Sequence, residues 1–248
     1  MSHTYSTFEQ FSIIRLVPLH PFGNMDLSFT NSALFMLIAA LIIISLHSIQ
    51  GKLIPSRWQS VLEILYEAIS NVVKENIGTE GSKYFPFVLT IFLLIATMNI
   101  VGIVPYTFTP TAHIIVALGM SVSIWIGCTI LGLIIHRSDF FAMFMPAGTP
   151  IAMAPLIVPI ELISYCTKAI TLGVRLAANI TAGHLLFAIL AGFTWKMLIS
   201  FSYLSLLSAI PFLIVVAITI LEMAVALIQA YVFSLLLSIY INDTLHLH

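Results

Sequence analysis

The sequence predicts an all-α integral membrane protein of about five to six helices, including one amphipathic surface helix and a long, strongly tilted C-terminal hairpin. Hydrophobic residues make up 60% of the 248 residues and charged residues only 8%, whereas soluble domains contain roughly 25% charged residues. Several apolar runs reach the roughly 20 residues that span a hydrocarbon core. Because these runs are continuous and do not alternate with polar residues, they indicate helices and not barrel strands.

Breakers and hydrophobic periodicity divide the chain, taken as one membrane domain, into segments. After the first span, apolar residues recur at intervals of three and four with charged residues between them, which predicts an amphipathic helix on the membrane surface or against a partner. Prolines and glycines interrupt a later region and predict an irregular connector. The predicted segments are an N-terminal segment at 1–31, a first span at 32–49, the amphipathic helix at 57–77, a helical hairpin at 84–135, the connector at 136–159 and the long hairpin at 160–241.

The last two apolar runs, 160–192 and 197–241, are unusually long. As helices they would measure about 50 and about 68 Å, well beyond one membrane thickness. Each run therefore either breaks once or lies strongly tilted, and the scarcity of breakers favours tilt. The hairpin is expected to turn at Thr194–Lys196.

The distribution of basic residues predicts the orientation in the membrane. The connection from Lys52 to Lys83 holds four of the nine basic residues, and loops rich in Lys and Arg face inward. Counting spans from this loop places the amino terminus outside and the carboxyl terminus inside. The first twenty residues lack the pattern of a secretory signal, so no cleaved secretory signal is expected, and removal of a short leader stays an open alternative.

Arg175 lies within the first of the two long apolar runs, and no acidic residue occurs in 162–221. Placing an arginine inside a span costs roughly 2.5 to 3.5 kcal/mol on insertion scales, so a carboxylate from another chain is the expected partner. The neighbouring residues Thr171, Ala178 and Ala182 are small and would let a second helix approach closely. The alternative is an arginine that snorkels or binds a lipid phosphate.

Other polar residues follow the faces of the two long helices. Those of the first helix are Glu161, Tyr165, Lys168, Arg175 and Asn179, and those of the second are Glu222, Gln229, Tyr240 and Asp243.

Folding the hairpin divides these residues between two clusters. It brings Asp243 towards Glu161, and Gln229 nearer Arg175. Glu222 falls towards His184, which lies about 180° around the helix from Arg175 and roughly 13 Å along it. Buried carboxylates and histidine suit proton relay, so the pattern predicts two half-paths that are separated by a fixed cation and joined by a moving carrier.

The stretch Leu172–Leu186, LGVRLAANITAGHLL, resembles the signature of subunit a of the mitochondrial F-type ATP synthase, in a fungal-like form. Further agreement lies in MNIVGIVPY, which contains Asn99, in Thr111–His113, in Pro146–Pro150 and in Ile228–Asp243. The resemblance covers nearly the whole chain and is weakest over the first thirty residues.

The resemblance implies a stator subunit of the mitochondrial inner membrane, with its amino terminus in the intermembrane space and its carboxyl terminus in the matrix. Its implied partners are the rotating c-ring, other Fo stator and peripheral-stalk subunits, and the lipid bilayer; protons are the transported ion, and no cofactor is implied. Arg175 would keep passing ring carboxylates deprotonated and block a proton short circuit. The remaining implied residues are His184, Glu222 and Asn179 in the outer half-channel, Glu161, Asp243 and Tyr240 in the inner one, and Gln229, Lys168, Asn99 and His113 in support.

Other functional classes fit the sequence less well. A net charge of −1 gives no electrostatic basis for nucleic-acid binding, and no GxxxxGK[ST] loop is present to bind nucleotide. A haem cytochrome would need paired axial histidines, and a stand-alone transporter would show repeated broken helices. Metal binding at His113, His184 or Glu222 is a weak alternative.

Overall fold

Six α-helices account for most of the residues described in the computed structural model, which are 9–18, 28–47, 52, 54–104, 107–137, 140, 144–145, 153–199 and 208–245. The helices are α1 Asn31–His47, α2 Arg57–Ile77, α3 Phe85–Ile103, α4 Ile114–His136, α5 Ala154–Ile199 and α6 Ala209–Leu245. Short 3-10 turns lie at Glu9–Phe11, Gly78–Lys83 and Pro110–Ala112.

Four of these helices, α3 to α6, are long and apolar enough to cross a membrane. This confirms the predicted membrane class, and α3 and α4 both lie within the predicted segment 84–135. The apolar helix α1 has 17 residues, or about 25 Å of rise, and ends at His47, so residues 48 and 49 of the predicted first span lie outside the described part of the chain.

Helix α2 coincides with the predicted amphipathic helix. The Ser56 side chain accepts a hydrogen bond from the backbone N–H of Gln59 at 3.4 Å, which satisfies one of the free donors of the first turn. Gly78 ends the helix with a φ of 78°, a conformation that glycine adopts at little steric cost. Only the C-terminal half of the apolar face is buried, since Trp58 near the start is 74% exposed.

The predicted connector at 136–159 extends too far, because α5 already begins at Ala154. Pro155 lies in the first helical turn, where a backbone N–H would have no partner within the helix, so proline is tolerated. Pro159 lies inside the helix and removes one backbone hydrogen bond, but the helix continues through it. Within the described part of the connector, Phe140 and Phe144 pack against Tyr165.

The predicted turn at Thr194–Lys196 is also wrong, since α5 continues as helix to Ile199. Thr194 donates its hydroxyl to the Leu190 carbonyl within the helix, so a polar residue here does not break the helix. The second long helix begins at Ala209, not Met197, and Pro211 lies in its first turn.

A small two-stranded antiparallel ladder was not predicted from the sequence. Strand β1, Arg15–Val17, pairs with β2, Phe29–Thr30, with Arg15 opposite Thr30. This ladder precedes α1 and fixes part of the N-terminal segment.

The chain forms two compact units. Unit 1 contains Met1–Ser48, Leu94–His113 and Leu176–Gln229, and unit 2 contains Ile49–Leu93, Ile114–Arg175 and Ala230–His248. Unit 1 has a buried cluster of Ala112, Ile180 and Ala226, and unit 2 has one of Phe140, Phe144 and Tyr165. Both α5 and α6 supply residues to each unit, so each unit contains part of the predicted polar face.

Candidate functional site

In unit 1, three side chains form what we call the His184 cluster: Thr109, His184 and Glu222. The His184 Nδ1 atom lies 3.8 Å from Glu222 Oε1, and the His184 Nε2 atom lies 3.0 Å from Thr109 Oγ1. Glu222 is only 6% exposed, and its Oε1 atom has no hydrogen-bond partner among the described residues. The predicted approach of Glu222 to His184 is therefore confirmed.

This geometry gives the two nitrogens of the imidazole different roles. When Nε2 carries a hydrogen, it can donate to Thr109, and Nδ1 is left facing the Glu222 carboxyl group. The 3.8 Å separation exceeds hydrogen-bond length, so a shift of about 1 Å or a bridging water would complete a proton path between them. The pair can thus hold and pass a proton.

Hydrogen bonds to buried side chains fix the loop that carries Thr109. Asn99, fully buried in α3, donates to the Ala226 carbonyl of α6 at 3.3 Å and accepts from the Thr111 hydroxyl at 2.8 Å. Thr181 of α5 donates to the Ala112 carbonyl at 3.0 Å. A side chain at Gly102 would collide with Thr109, so glycine lets the loop lie against α3.

The His184 cluster opens into a cavity of about 880 Å³. Thr107, Thr109 and Thr219 supply hydroxyl groups to its wall, and His184 and Glu222 supply ionisable groups. A cavity of this size with several polar groups can hold water molecules, which a proton path requires.

Gly183 makes room for the Glu222 carboxyl group. A Cβ atom at this position would lie 2.8 Å from Glu222 Oε1, whereas one at Gly192 on the same helix would have no atom within 4 Å. We expect Gly183→Ala to displace the carboxyl group from His184 and to lower the rate of proton transfer through the cluster by about tenfold, less than the roughly 100-fold that complete loss of a positioned proton carrier costs. Gly192→Ala is the matched control and should retain the wild-type rate. Equal rates in the two assembled variants would contradict this role of Gly183.

In unit 2, Lys168, Tyr240 and Asp243 form what we call the Asp243 cluster. The Lys168 Nζ atom lies 3.7 Å from Asp243 Oδ2, and the Tyr240 hydroxyl donates to the Lys168 carbonyl at 3.3 Å. The Lys168 side chain is 41% exposed, so the ion pair contributes at most about 1 kcal/mol of stability. It orients Asp243 but does not remove the carboxylate from water.

His136 fixes the end of α6 beside this cluster. Its Nε2 atom lies 3.2 Å from the carbonyl oxygens of both Thr244 and Leu245, where a helix leaves carbonyls without partners. The last turn of α6, and with it Asp243, is thereby held against α4.

Arg175 lies on an exposed part of α5 and lines a cavity of about 360 Å³ together with Lys168 and Tyr240. Among the described residues it has no hydrogen-bond or ion-pair partner. Thr171, Ala178 and Ala182 on the same helix are exposed as well. The described part of the chain therefore offers an uncompensated cation beside a row of small side chains.

Comparisons with known proteins identify the family. A profile of the ATP synthase A chain family matches residues 29–242, which is most of the chain. The chain belongs to the ATP synthase A chain family. The protein named ATP synthase subunit a in Metridium senile is 48% identical over 242 residues, which cover 97% of this chain and 98% of the relative. The protein of the same name in Marchantia polymorpha is 46% identical over 250 residues, which cover 98% of this chain and 99% of the relative. The relative from Mycosarcoma maydis is 44% identical, with 98% of each chain covered.

Membership of the ATP synthase A chain family confirms the predicted resemblance and excludes a haem cytochrome and a stand-alone transporter. As a member of this family, the chain is a membrane subunit of a proton-transporting complex and has no catalytic site of its own. Within the described residues no group of three His, Cys, Asp or Glu side chains is arranged to hold a metal ion.

Several predicted site residues lie outside the two clusters. Asn179 and Gln229 are half-buried, and neither lines the cavity of the His184 cluster. Glu161 is half-buried and has no polar partner among the described residues, so Asp243 pairs with Lys168 and not with Glu161. His113 stacks on Phe108 with ring centroids 5.2 Å apart, and its buried Nε2 has no described partner.

Thr109, Gly183 and His136 were missed by sequence reasoning. Thr109 lies two residues before the motif at Thr111–His113, so the motif could have drawn attention to its hydroxyl. Gly183 lies within the LGVRLAANITAGHLL signature, but its role depends on a packing distance to another helix. No sequence signal indicates that His136 contacts the end of α6.

Proposed function

We propose that this chain conducts protons through two offset half-channels at the surface of a rotating c-ring and so couples the proton-motive force to ATP synthesis. The His184 cluster would belong to the outer half-channel, with Asn179 beside it, and the Asp243 cluster, with Glu161, to the inner one. The observation that carries the proposal is that ionisable side chains gather in two separate clusters, each beside its own cavity.

Arg175 would act as the barrier between the half-channels. An exposed guanidinium with no described partner suits a counter-charge that arrives on another protein and departs again. The small residues beside it would let a ring helix approach closely, and Gln229 would lie near the arginine. Moving one elementary charge through 100 mV is worth about 2.3 kcal/mol, so several protons are needed for each ATP.

The proposed location is the mitochondrial inner membrane, with the amino terminus in the intermembrane space and the carboxyl terminus in the matrix. Four of the nine basic residues between Lys52 and Lys83 support this orientation. The other Fo stator and peripheral-stalk subunits would surround the faces of the chain that do not meet the ring. The exposed Trp58 end of α2 suits a membrane surface or such a subunit.

Cysteine crosslinking in the native complex tests the ring contact. In a background with Cys128 and Cys166 replaced by serine, we expect Ala178→Cys, one turn from Arg175, to crosslink to a cysteine placed beside the ring carboxylate. Ala177→Cys is the matched control, because Ala177 is adjacent in sequence but fully buried. A crosslink from position 177 and none from position 178 would show that a different face of α5 meets the ring.

A further inference from the structure

The residues just before α1 form an ordered segment that the family profile does not include. This segment, Glu9–Val17, precedes the matched residues 29–242 but is fixed by Asn31 at the start of α1. The Asn31 side chain accepts from the Ile14 N–H at 3.3 Å and donates to the Ser12 carbonyl at 3.2 Å, and its own N–H donates to the Ile14 carbonyl at 3.1 Å. These three bonds and the β1–β2 pairing hold the segment in place.

The segment Glu9–Val17 forms one wall of the cavity of the His184 cluster. Gln10, Phe11, Ser12 and Ile14 line that cavity together with Glu222 and the other residues described above. This wall comes from a separate stretch of chain and not from α5 or α6.

Phe11 makes the direct contact with His184. Its ring meets the His184 ring edge to face, with centroids 6.2 Å apart and an interplanar angle of 80°. Phe11 also packs against the buried cluster of Ala112, Ile180 and Ala226. An aromatic ring anchored on one side and touching the imidazole on the other limits rotation of the imidazole and excludes water from that side.

We infer that the segment Glu9–Val17 covers the outer proton cavity, with Phe11 as a positioning residue for His184 and Asn31 as the anchor of the cover. The inference rests on the proposed function, in which the His184 cluster carries protons. Phe11 keeps His184 in the orientation that bonds Thr109 and faces Glu222, and it limits the water that reaches the pair. Protons therefore arrive through the hydroxyl-lined part of the cavity.

Accessibility of the cavity in the native complex tests the cover. Thr219→Cys, in the background without native cysteines, places a reporter thiol in the cavity wall. We expect Phe11→Ala to raise the rate at which a membrane-impermeant thiol reagent labels this cysteine by about tenfold, because local opening governs access. The matched control is Ile13→Ala, since Ile13 is 56% exposed and does not line the cavity. It should leave the labelling rate unchanged.

Two further variants make the outcome decisive. Asn31→Ala removes the two side-chain bonds that anchor the cover and should also raise labelling, and Phe11→Leu should stay close to wild type because it keeps an apolar side chain in the wall. Phe11→Ala should also change the pH dependence of proton flux, which a purely structural contact would not alter. The inference is wrong if the cysteine at position 219 is labelled no faster in Phe11→Ala than in Ile13→Ala. If Phe11→Ala does not assemble, the same comparison is made with Asn31→Ala.

The inference and the proposed function fail in distinguishable ways. If His184→Ala leaves proton flux at the wild-type rate, the proposed function fails. If His184→Ala abolishes flux while Phe11→Ala changes neither labelling nor pH dependence, the half-channel stands and only the cover is refuted.

Discussion

Arg175→Ala should reduce proton-driven ATP synthesis by at least about 100-fold, the effect of removing a single preorganised hydrogen-bond donor in other sites, and should raise the passive proton leak of the membrane. Arg175 is exposed on α5 and lines the same cavity as Lys168 and Tyr240. Lys168 already pairs with Asp243, so the loss of Arg175 would remove the cation proposed to hold a ring carboxylate deprotonated and to stop protons from passing directly between the half-channels. ATP synthesis and leak can be measured on the same inverted membrane vesicles.

A conservative variant at position 175 and a variant at a distant cation show whether the effect comes from the charge, from the shape of the guanidinium or from nonspecific damage. Arg175→Lys keeps the charge but loses the planar, two-pronged donor geometry of guanidinium, so synthesis should fall while the leak rises less than in Arg175→Ala. Lys196→Ala removes an exposed cation from the same helix and should change neither quantity. An Arg175→Ala complex that assembles and synthesises ATP at the wild-type rate would refute the barrier role.

Local sequence patterns predicted the parts of the fold that local physics determines. The bounds of α2 follow from a three-and-four apolar spacing, a signal contained within the helix itself. The predicted pairing of His184 with Glu222 was confirmed because two long antiparallel helices leave few ways to align their polar faces.

The register of that hairpin could not be predicted equally well. The expected turn at Thr194–Lys196 was wrong because inside an α-helix a threonine hydroxyl can bond to the preceding turn, as Thr194 does to Leu190. The His184–Glu222 pair is symmetric about residue 203, not about residue 195. In unit 2, Asp243 meets Lys168, which lies two helical turns after Glu161.

Contacts between distant segments account for the remaining misses. Nothing in the sequence of Phe11 or Asn31 indicates that the N-terminal segment lies against His184, since neither residue belongs to a periodic pattern. Likewise Gly183 reads as an ordinary small residue of a membrane helix until its distance to Glu222 is known. Such residues carry weak local signals because their roles depend on which elements pack together.

Glu222→Gln should lower proton-driven ATP synthesis by roughly 100-fold, the lower end of the range that one positioned proton carrier contributes. Glutamine keeps the shape of the side chain and its place beside His184, but it cannot bind and release a proton. The measurement is ATP synthesis at a fixed proton-motive force, with complex assembly checked separately. Ser238→Ala on the same helix is the control, because Ser238 is fully buried and its hydroxyl donates to the Ser234 carbonyl of its own helix.

Exchanging the two groups tests whether they act as a pair. In His184→Glu with Glu222→His, an imidazole and a carboxyl group still face each other, in exchanged positions, so the double variant should recover part of the synthesis that either single variant loses. The loop holding Thr109 limits this recovery, because a carboxylate at position 184 would accept the threonine hydroxyl in a different geometry. If the rate of ATP synthesis in the double variant is as low as two independent losses would make it, the two residues act separately. Proton transfer between them is then not the step that the outer half-channel requires.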